Sequence, residues 1–207
     1  MKRLAFVLIT GILLVSFSGS CWADAGFWAG PKGVAFHPQN SALHRFYRPY
    51  WGGGAEVEWL VWKHIELGAE GSYIRALGKE EMQEIDEQGN IVGTFNNENS
   101  FFILSSKASY RFLGKRTPYL GLGVGFYRAS WKLVGLSREY PEIHPISHSA
   151  VGTQVFAGYD YRVRRWFGLR AEGGVQVARA KYEYEQYQWT PGDMGGWKAC
   201  LGTYIAW

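Results

Sequence analysis

The sequence predicts an all-β protein: an eight-stranded antiparallel up-and-down barrel that closes on itself and crosses a membrane. Three observations carry that reading. Eight segments alternate apolar and polar residues with period 2, most of them are 11 to 17 residues long, and the connections between them alternate short and long. Strands of globular domains usually run to about 5 or 6 residues, whereas a tilted strand needs roughly 9 to 11 to cross a hydrocarbon core. Tight turns at one end with long loops at the other describe a meander; the Greek-key crossings of an immunoglobulin-like sandwich would break that rhythm.

Taken in order, residues 1–23 have the layout of a secretory leader: Lys2 and Arg3, an apolar run from Leu4 to Val15, then small residues. Cleavage after Ala23 or Ala25 leaves a single expected domain, 24–207. Cys21 would be the lipidated residue of a lipoprotein, but Ser18 stands where such signals carry an aliphatic, so lipidation is not expected. Cys200 is then alone, and no intramolecular disulfide is expected. No later run reaches the roughly 20 apolar residues of a membrane helix. The mean hydropathy of −0.19 by itself resembles that of a soluble protein.

The strand segments lie near 26–36, 51–62, 65–76, 99–112, 118–132, 149–163, 166–182 and 196–207. Short links at Lys63-His64, 113–117 and Arg164-Arg165 alternate with long ones at 37–50, 77–98, 133–148 and 183–195. No segment reads as a helix. In the first strand Pro31 and Lys32 blur the phase. In the second, Trp51, Val57 and Trp59 oppose Glu56 and Glu58; in the third, Leu67 and Tyr73 oppose Glu66 and Glu70. The fourth sets Phe102, Leu104 and Tyr110 against Ser105, Lys107 and Arg111. The fifth sets Leu120, Leu122 and Val124 against Tyr119, three glycines and Tyr127. Asp160 and Arg162 oppose Tyr159 and Tyr161 in the sixth, and Arg170 and Glu172 oppose Leu169 and Ala171 in the seventh. The eighth alternates Trp197, Leu201, Ile205 and Trp207 with Lys198, Cys200 and Tyr204.

One face of nearly every strand is therefore bare of charge. A soluble barrel turns its apolar face inward. Here that face carries Trp51, Trp59, Tyr73, Tyr110, Tyr159, Tyr161, Trp166, Trp197 and Trp207 near strand ends, where the aromatic girdles of a membrane barrel sit. The charged face is then the lumen, narrow enough in an eight-stranded barrel to be filled by side chains. Glu56, Glu58, Glu66, Glu70, Asp160 and Glu172 are expected inside against Lys107, Arg111, Arg162, Arg170 and Lys198, with Lys32 joining them if its strand turns it inward. A hairpin pivoting at residue 63 would put Glu56 opposite Glu70. That like-charge pair needs cations between its members, for which Lys107, Arg111 and Arg170 are the candidates.

The run YLGLGVGFY (119–127), the hairpins GAEVEWLVWKHIELGAEGSY (54–73) and GYDYRVRRWFGLRAEGGV (158–175), and the terminal GTYIAW (202–207) resemble the small eight-stranded outer-membrane barrels of Gram-negative bacteria, the group of OmpA, OmpX, OmpW and Ail. The resemblance spans 24–207. Gly202, Ile205 and Trp207 match the group's C-terminal assembly signal, with Trp where Phe is commoner. The resemblance implies a place in the outer membrane among its lipid and lipopolysaccharide, and recognition by the barrel-assembly machinery.

Some barrels of this kind act on envelope lipid, which raises the question of chemistry. His144 and His148 flank Pro145-Ile146-Ser147, with Ser149 next, but the His-x-Ser pattern of lipid A deacylase barrels is absent, and Pro145 argues against a helical metal pair. His37, His44 and His64 are isolated. Glu56 and Glu58 lie about 7 Å apart along one strand face, a spacing open to acid–base work, yet cations are expected beside them. Gly121, Gly123 and Gly125 lie mid-strand rather than before a helix and resemble no phosphate loop. No catalytic residue, cofactor or metal is expected. The loops carry whatever binding there is: basic and aromatic around Arg45 and Arg48, an acidic protruding hairpin turning at Gln88-Gly89-Asn90, and Tyr-rich up to Tyr187 and Trp189. The expected function is that of a non-enzymatic, monomeric barrel serving surface interaction, with an extracellular protein or glycan as ligand, or envelope integrity. A narrow OmpW-like channel for small hydrophobic molecules is the alternative, and an envelope-lipid enzyme the third reading.

Overall fold

A computed structural model describes residues 26–39, 41–85, 87–112, 118–136, 146–164, 166–179 and 194–207. The expected leader, the link at 113–117, His144 within 137–145, and the stretch 180–193 with Tyr187 and Trp189 lie outside these residues. The strands are β1 (Phe27–Pro38), β2 (Tyr50–Trp62), β3 (Ile65–Ile85), β4 (Ile91–Arg111), β5 (Pro118–Leu136), β6 (Ile146–Arg164), β7 (Phe167–Ala178) and β8 (Gly196–Ala206). Each pairs antiparallel with the next, and β8 returns to β1 to close the barrel. The seam reaches the last residue: the Trp207 amide donates to the Phe27 carbonyl at 2.9 Å.

Two expectations about the elements are corrected. The connection after β1 contains a 6-residue helix, α1 (Ser41–Phe46), too short to leave a periodicity in the sequence. β3 and β4 run 21 residues each, past the expected 65–76 and 99–112, so the protruding hairpin expected within 77–98 is a direct continuation of these two strands. Above a bulge between Leu77 and Glu81, their hairpin continues to a turn at 87–90, where Gly89 takes a left-handed φ of 81°. Backbone pairing needs no apolar face, so a hairpin that leaves the membrane keeps its ladder while its period-2 hydrophobicity fades.

β1 resolves its own ambiguity. Trp28, Lys32, Val34 and Phe36 are buried in the interior, so Lys32 does face inward. Pro31 donates no ladder hydrogen bond, and the register with β8 passes from Ala29↔Ile205 to Lys32↔Gly202 with no bridged pair between. A proline inside a closed sheet is tolerated because the ladder is interrupted there.

The outer surface is apolar to a degree that no water-soluble monomer sustains. Leu201 is 73 % exposed, Val151 72 %, Leu122 63 % and Trp51 64 %, while Glu66 and Glu70 are 1 % exposed. The girdle residues Trp51, Tyr73, Tyr110, Tyr159, Tyr161, Trp166, Trp197 and Trp207 are exposed, and Trp59 is half-buried. Along β2, Trp51 and Trp59 are eight residues apart, about 26 Å of strand and some 20 Å of height at a ~40° tilt, close to the roughly 25 Å apolar band of such barrels. The protein is a transmembrane barrel, inside out relative to a soluble one. Cysteines placed at Val57 and Leu67 are therefore expected to react with a lipid-phase probe, and cysteines at Glu58 and Glu70 are not. Equal labelling of all four would reverse the assignment of faces.

Candidate functional site

The lumen is the site that the fold builds, and it has two halves. Toward the short turns, inward positions of seven strands carry charge, because period 2 delivers every second residue to the interior. Glu56 and Glu70 are cross-strand partners in the β2–β3 register. Lys32 lies between them, its Nζ 2.9 Å from Glu56 and 2.8 Å from Glu70. Lys107 Nζ joins from β4, 2.6 Å from Glu172, 3.3 Å from Glu56 and 3.5 Å from both Glu58 and Glu70. Lys198 Nζ takes the other Glu70 oxygen at 2.6 Å and Gln154 Oε1 at 3.1 Å.

Arg170 holds the other side of the cluster. Its Nε and Nη2 donate to the two Asp160 oxygens at 2.6 and 2.8 Å, a bidentate fork, while Nη1 donates to Glu56 at 2.9 Å and also to Glu58. Arg111 links Asp160 to Glu66, and Ser109 donates to the second Glu66 oxygen at 3.1 Å. Neutral groups complete the shell: Trp28 Nε1 donates to Glu58 at 2.9 Å and the Tyr119 hydroxyl to Glu172 at 3.2 Å. Aromatic faces cover the cations, with Lys107 4.4 Å from the Phe156 ring centroid, Arg111 4.7 Å from Trp28 and Arg170 5.1 Å from Tyr119. Inward glycines make room for these rings: a Cβ on Gly158 would lie 2.3 Å from Tyr119, and one on Gly168 2.2 Å from Tyr204.

Of the cations the sequence proposes for the Glu56–Glu70 pair, Lys107 touches both and Arg170 touches Glu56, but Arg111 turns instead to Glu66 and Asp160. Lys32 supplies what Arg111 does not. Arg162 is drawn less tightly than the rest; it stands opposite Gly168, where the Tyr204 ring occupies the space, and its Nε has no hydrogen-bond partner.

Toward the long loops the interior is mainly apolar, with Ser72 and Gln176 as buried polar residues within it. Val34, Phe36, Tyr50, Ile74, Phe101, Ile103, Tyr127, Met194 and Cys200 form one buried cluster, with Leu43 and Tyr47 packed on it from α1 and the residue that follows. Phe36 meets Tyr50 and Phe101 edge-on at centroid distances of 6.1 and 5.3 Å. Burial there raises the Tyr47 phenol above its ordinary pKa, against a Trp131 hydrogen bond that favours the anion. Sequence reasoning missed this half. The signal was the run Phe101-Phe102-Ile103-Leu104, apolar on both faces, of which only Phe102 and Leu104 belong to the lipid side.

Other candidate chemistry is dispersed. His148 pairs with Ala129 on the interior face while Ser147 and Ser149 lie on the outer one, so this base and these hydroxyls point apart. Ser147 accepts from Arg128 at 2.9 Å. Glu56 and Glu58 are both held by Arg170. Among the described residues, no group of three or more His, Cys, Asp or Glu is arranged to hold a metal ion. Ile205 and Trp207 project outward beside Phe27, whose ring centroid is 5.4 Å from that of Trp207, and Gly202 packs against Lys32 across the seam.

A closed eight-stranded transmembrane barrel with a lumen filled by side chains is the class that this geometry defines. Its fold is that of the small outer-membrane barrels. The chain is similar to Neisserial surface protein A at 13 % identity, covering 88 % of this chain and 95 % of that one with a TM-score of 0.50. It is also similar to a major outer membrane protein of Thermus thermophilus (16 % identity, 88 % and 99 % covered, TM-score 0.49) and to the N-terminal barrel domain of Pseudomonas aeruginosa OprF (15 %, 88 % and 97 %, 0.45). No family model and no curated protein matches the chain. At these identities the likeness is one of fold.

Proposed function

We propose that the protein is a non-enzymatic integral protein of the Gram-negative outer membrane. In this reading its plugged barrel presents the long loops for surface interaction or contributes to envelope integrity. The observation that carries this reading is the ion-pair cluster across the lumen, in which Glu56 and Glu70 from β2 and β3 and Glu172 from β7 meet Lys32, Lys107, Arg170 and Lys198 from β1, β4, β7 and β8. A paired and desolvated cluster opposes both ion passage and substrate entry. Its partners are then the lipids around it, lipopolysaccharide among them, the assembly machinery that would read Gly202, Ile205 and Trp207, and a protein or glycan at the loops. The barrel acts as a monomer.

The channel reading has one observation in its favour, the aromatic half of the lumen around Phe36, Tyr50 and Phe101. That half lies toward the loops, where Leu43 and Tyr47 pack on it, and ends on the charged plug. Planar-bilayer recording separates the two: the purified barrel is expected to insert without unit conductance steps, and stable openings would overturn the plugged reading.

A further inference from the structure

The outward wall changes character within a few residues on β3 to β6. One register row, Gly71–Leu104–Phe126–Val151, is wholly apolar. The next row toward the loops is Tyr73–Phe102–Arg128–Ser149, followed by Arg75–Ser100–Ser130–Ser147, and above these Glu98 pairs with Lys132. Among the described residues, three cations thus sit directly on top of a lipid-facing apolar face, beside the exposed Ser149, the half-buried Ser130 and Ser147 and the buried Ser100. The Arg75 side chain is 66 % exposed and that of Lys132 44 %, and Arg128 is exposed. Adjacent strands are about 4.8 Å apart and alternate residues about 6.6 Å, so these long side chains can converge on one group.

We propose that this wall is a docking surface for a membrane lipid with a phosphorylated headgroup and several acyl chains. Arg75 and Arg128 face the phosphate, the half-buried Ser130 and Ser147 line the row of Arg75, with Ser147 accepting from Arg128 at 2.9 Å, and the chains lie on Leu104, Phe126 and Val151. Guanidinium forks suit phosphate oxygens, and at the edge of a membrane they act where water is scarce. Within these rows Glu98 is the one carboxylate. It pairs with Lys132 at 3.2 Å and Arg75 at 4.0 Å, holding the cations apart and leaving the patch with a net positive charge. A soluble anion would use only the upper rows; the apolar row beneath them selects an amphiphile. The proposal rests on the reading that the barrel spans the outer membrane with its long loops outward, and it assigns the lipid to the loop-side leaflet.

The test uses the full chain refolded in detergent and titrated with bisphosphorylated hexa-acyl lipid A, its dephosphorylated form and inorganic phosphate, with bound lipid counted by native mass spectrometry. The phosphorylated lipid is expected to bind at least tenfold more tightly than the dephosphorylated one, and Arg75→Gln with Arg128→Gln to erase that difference. Glu98→Gln is expected to tighten binding, and added salt to weaken it. Equal affinity for the two lipids, unchanged affinity in the double variant, or displacement by inorganic phosphate at comparable concentration would overturn the proposal. The heat-dependent gel shift of the unboiled protein, measured on the same samples, distinguishes a failed site from a failed barrel: a retained shift with unchanged affinity in the variant overturns the site alone.

Discussion

Arg170→Ala is expected to destabilise the barrel by about 3–5 kcal/mol, the range for removing one partner of a buried ion pair and stranding the other. The residue holds Asp160 through a bidentate fork and reaches Glu56 and Glu58 with its remaining nitrogen. Without it, Asp160 keeps Arg111, and Glu58 keeps Trp28 and Lys107 at 3.5 Å. Glu56 keeps Lys32 and Lys107, so three desolvated carboxylates would share three cations that already have other partners. Arg170→Lys should recover only part of the loss, because an ammonium cannot reproduce the fork. The comparison that isolates charge from packing is Lys32→Met with Glu70→Gln, which removes one charge of each sign and should cost at least about 1 kcal/mol less than Arg170→Ala. Urea unfolding of the vesicle-inserted protein, followed by tryptophan fluorescence, measures both; equal losses would show that the lumen charges act independently of one another.

Gly30→Val should prevent the barrel from closing. The Cβ of any residue at Gly30 would stand 1.8 Å from the Thr203 carbonyl oxygen and 2.8 Å from the Tyr204 Cα, all backbone of β8. No rotamer relieves such an overlap, so a strand must move at the seam beside Pro31, where the ladder is already interrupted. The cost should reach or exceed the roughly 3 kcal/mol upper end of ordinary overpacking. Gly33→Val is the control in the same strand: its Cβ points outward with its nearest neighbour, the Leu201 carbonyl, at 3.8 Å, and its effect should stay within about 0.5 kcal/mol. Loss of the heat-shifted, folded gel species in Gly30→Val alone is the expected result. Equal folding yields for the two variants would mean that the seam is looser than the geometry describes.

Much of this architecture was legible in the chain. A pivot at residue 63 puts Glu56 opposite Glu70, as the pairing shows, although the Lys63-His64 turn closes on Trp62↔Ile65 and reaches that register only through an irregularity between Leu60 and Trp62. Inward positions in β2, β3, β6 and β7 followed from alternation, since each of those strands separates its charges from its apolar residues. β1 did not, because Pro31 and neighbouring small residues leave too few side chains to define a phase. The hairpin that ends β3 and β4 was legible from its turn at Gln88-Gly89-Asn90, but the extent of its pairing was not: above the membrane both faces are polar, and hydrophobic contrast carries no information where there is no hydrophobic phase.

The same logic explains the aromatic half of the lumen. Phe101 and Ile103 are as apolar as Phe102 and Leu104, so composition could not say which pair met lipid and which met protein. Only closure of the sheet, which gives β4 an enclosed side, decided it. Lys32 and Arg162 show the limit from the other direction: both were candidate cations, and their different neighbours separated them.

By itself the sequence determined the number of strands, their antiparallel order, the pivot between β2 and β3 and the face on which most charges lie, because period 2 and turn position are local properties of the chain. Which cation meets which carboxylate was decided by the tertiary structure. Glu56 and Arg170 are separated by 114 positions and Glu70 and Lys198 by 128, and they meet across the interior only when β8 closes onto β1. That closure sets the stagger of every strand at once, and no local pattern in the chain encodes it.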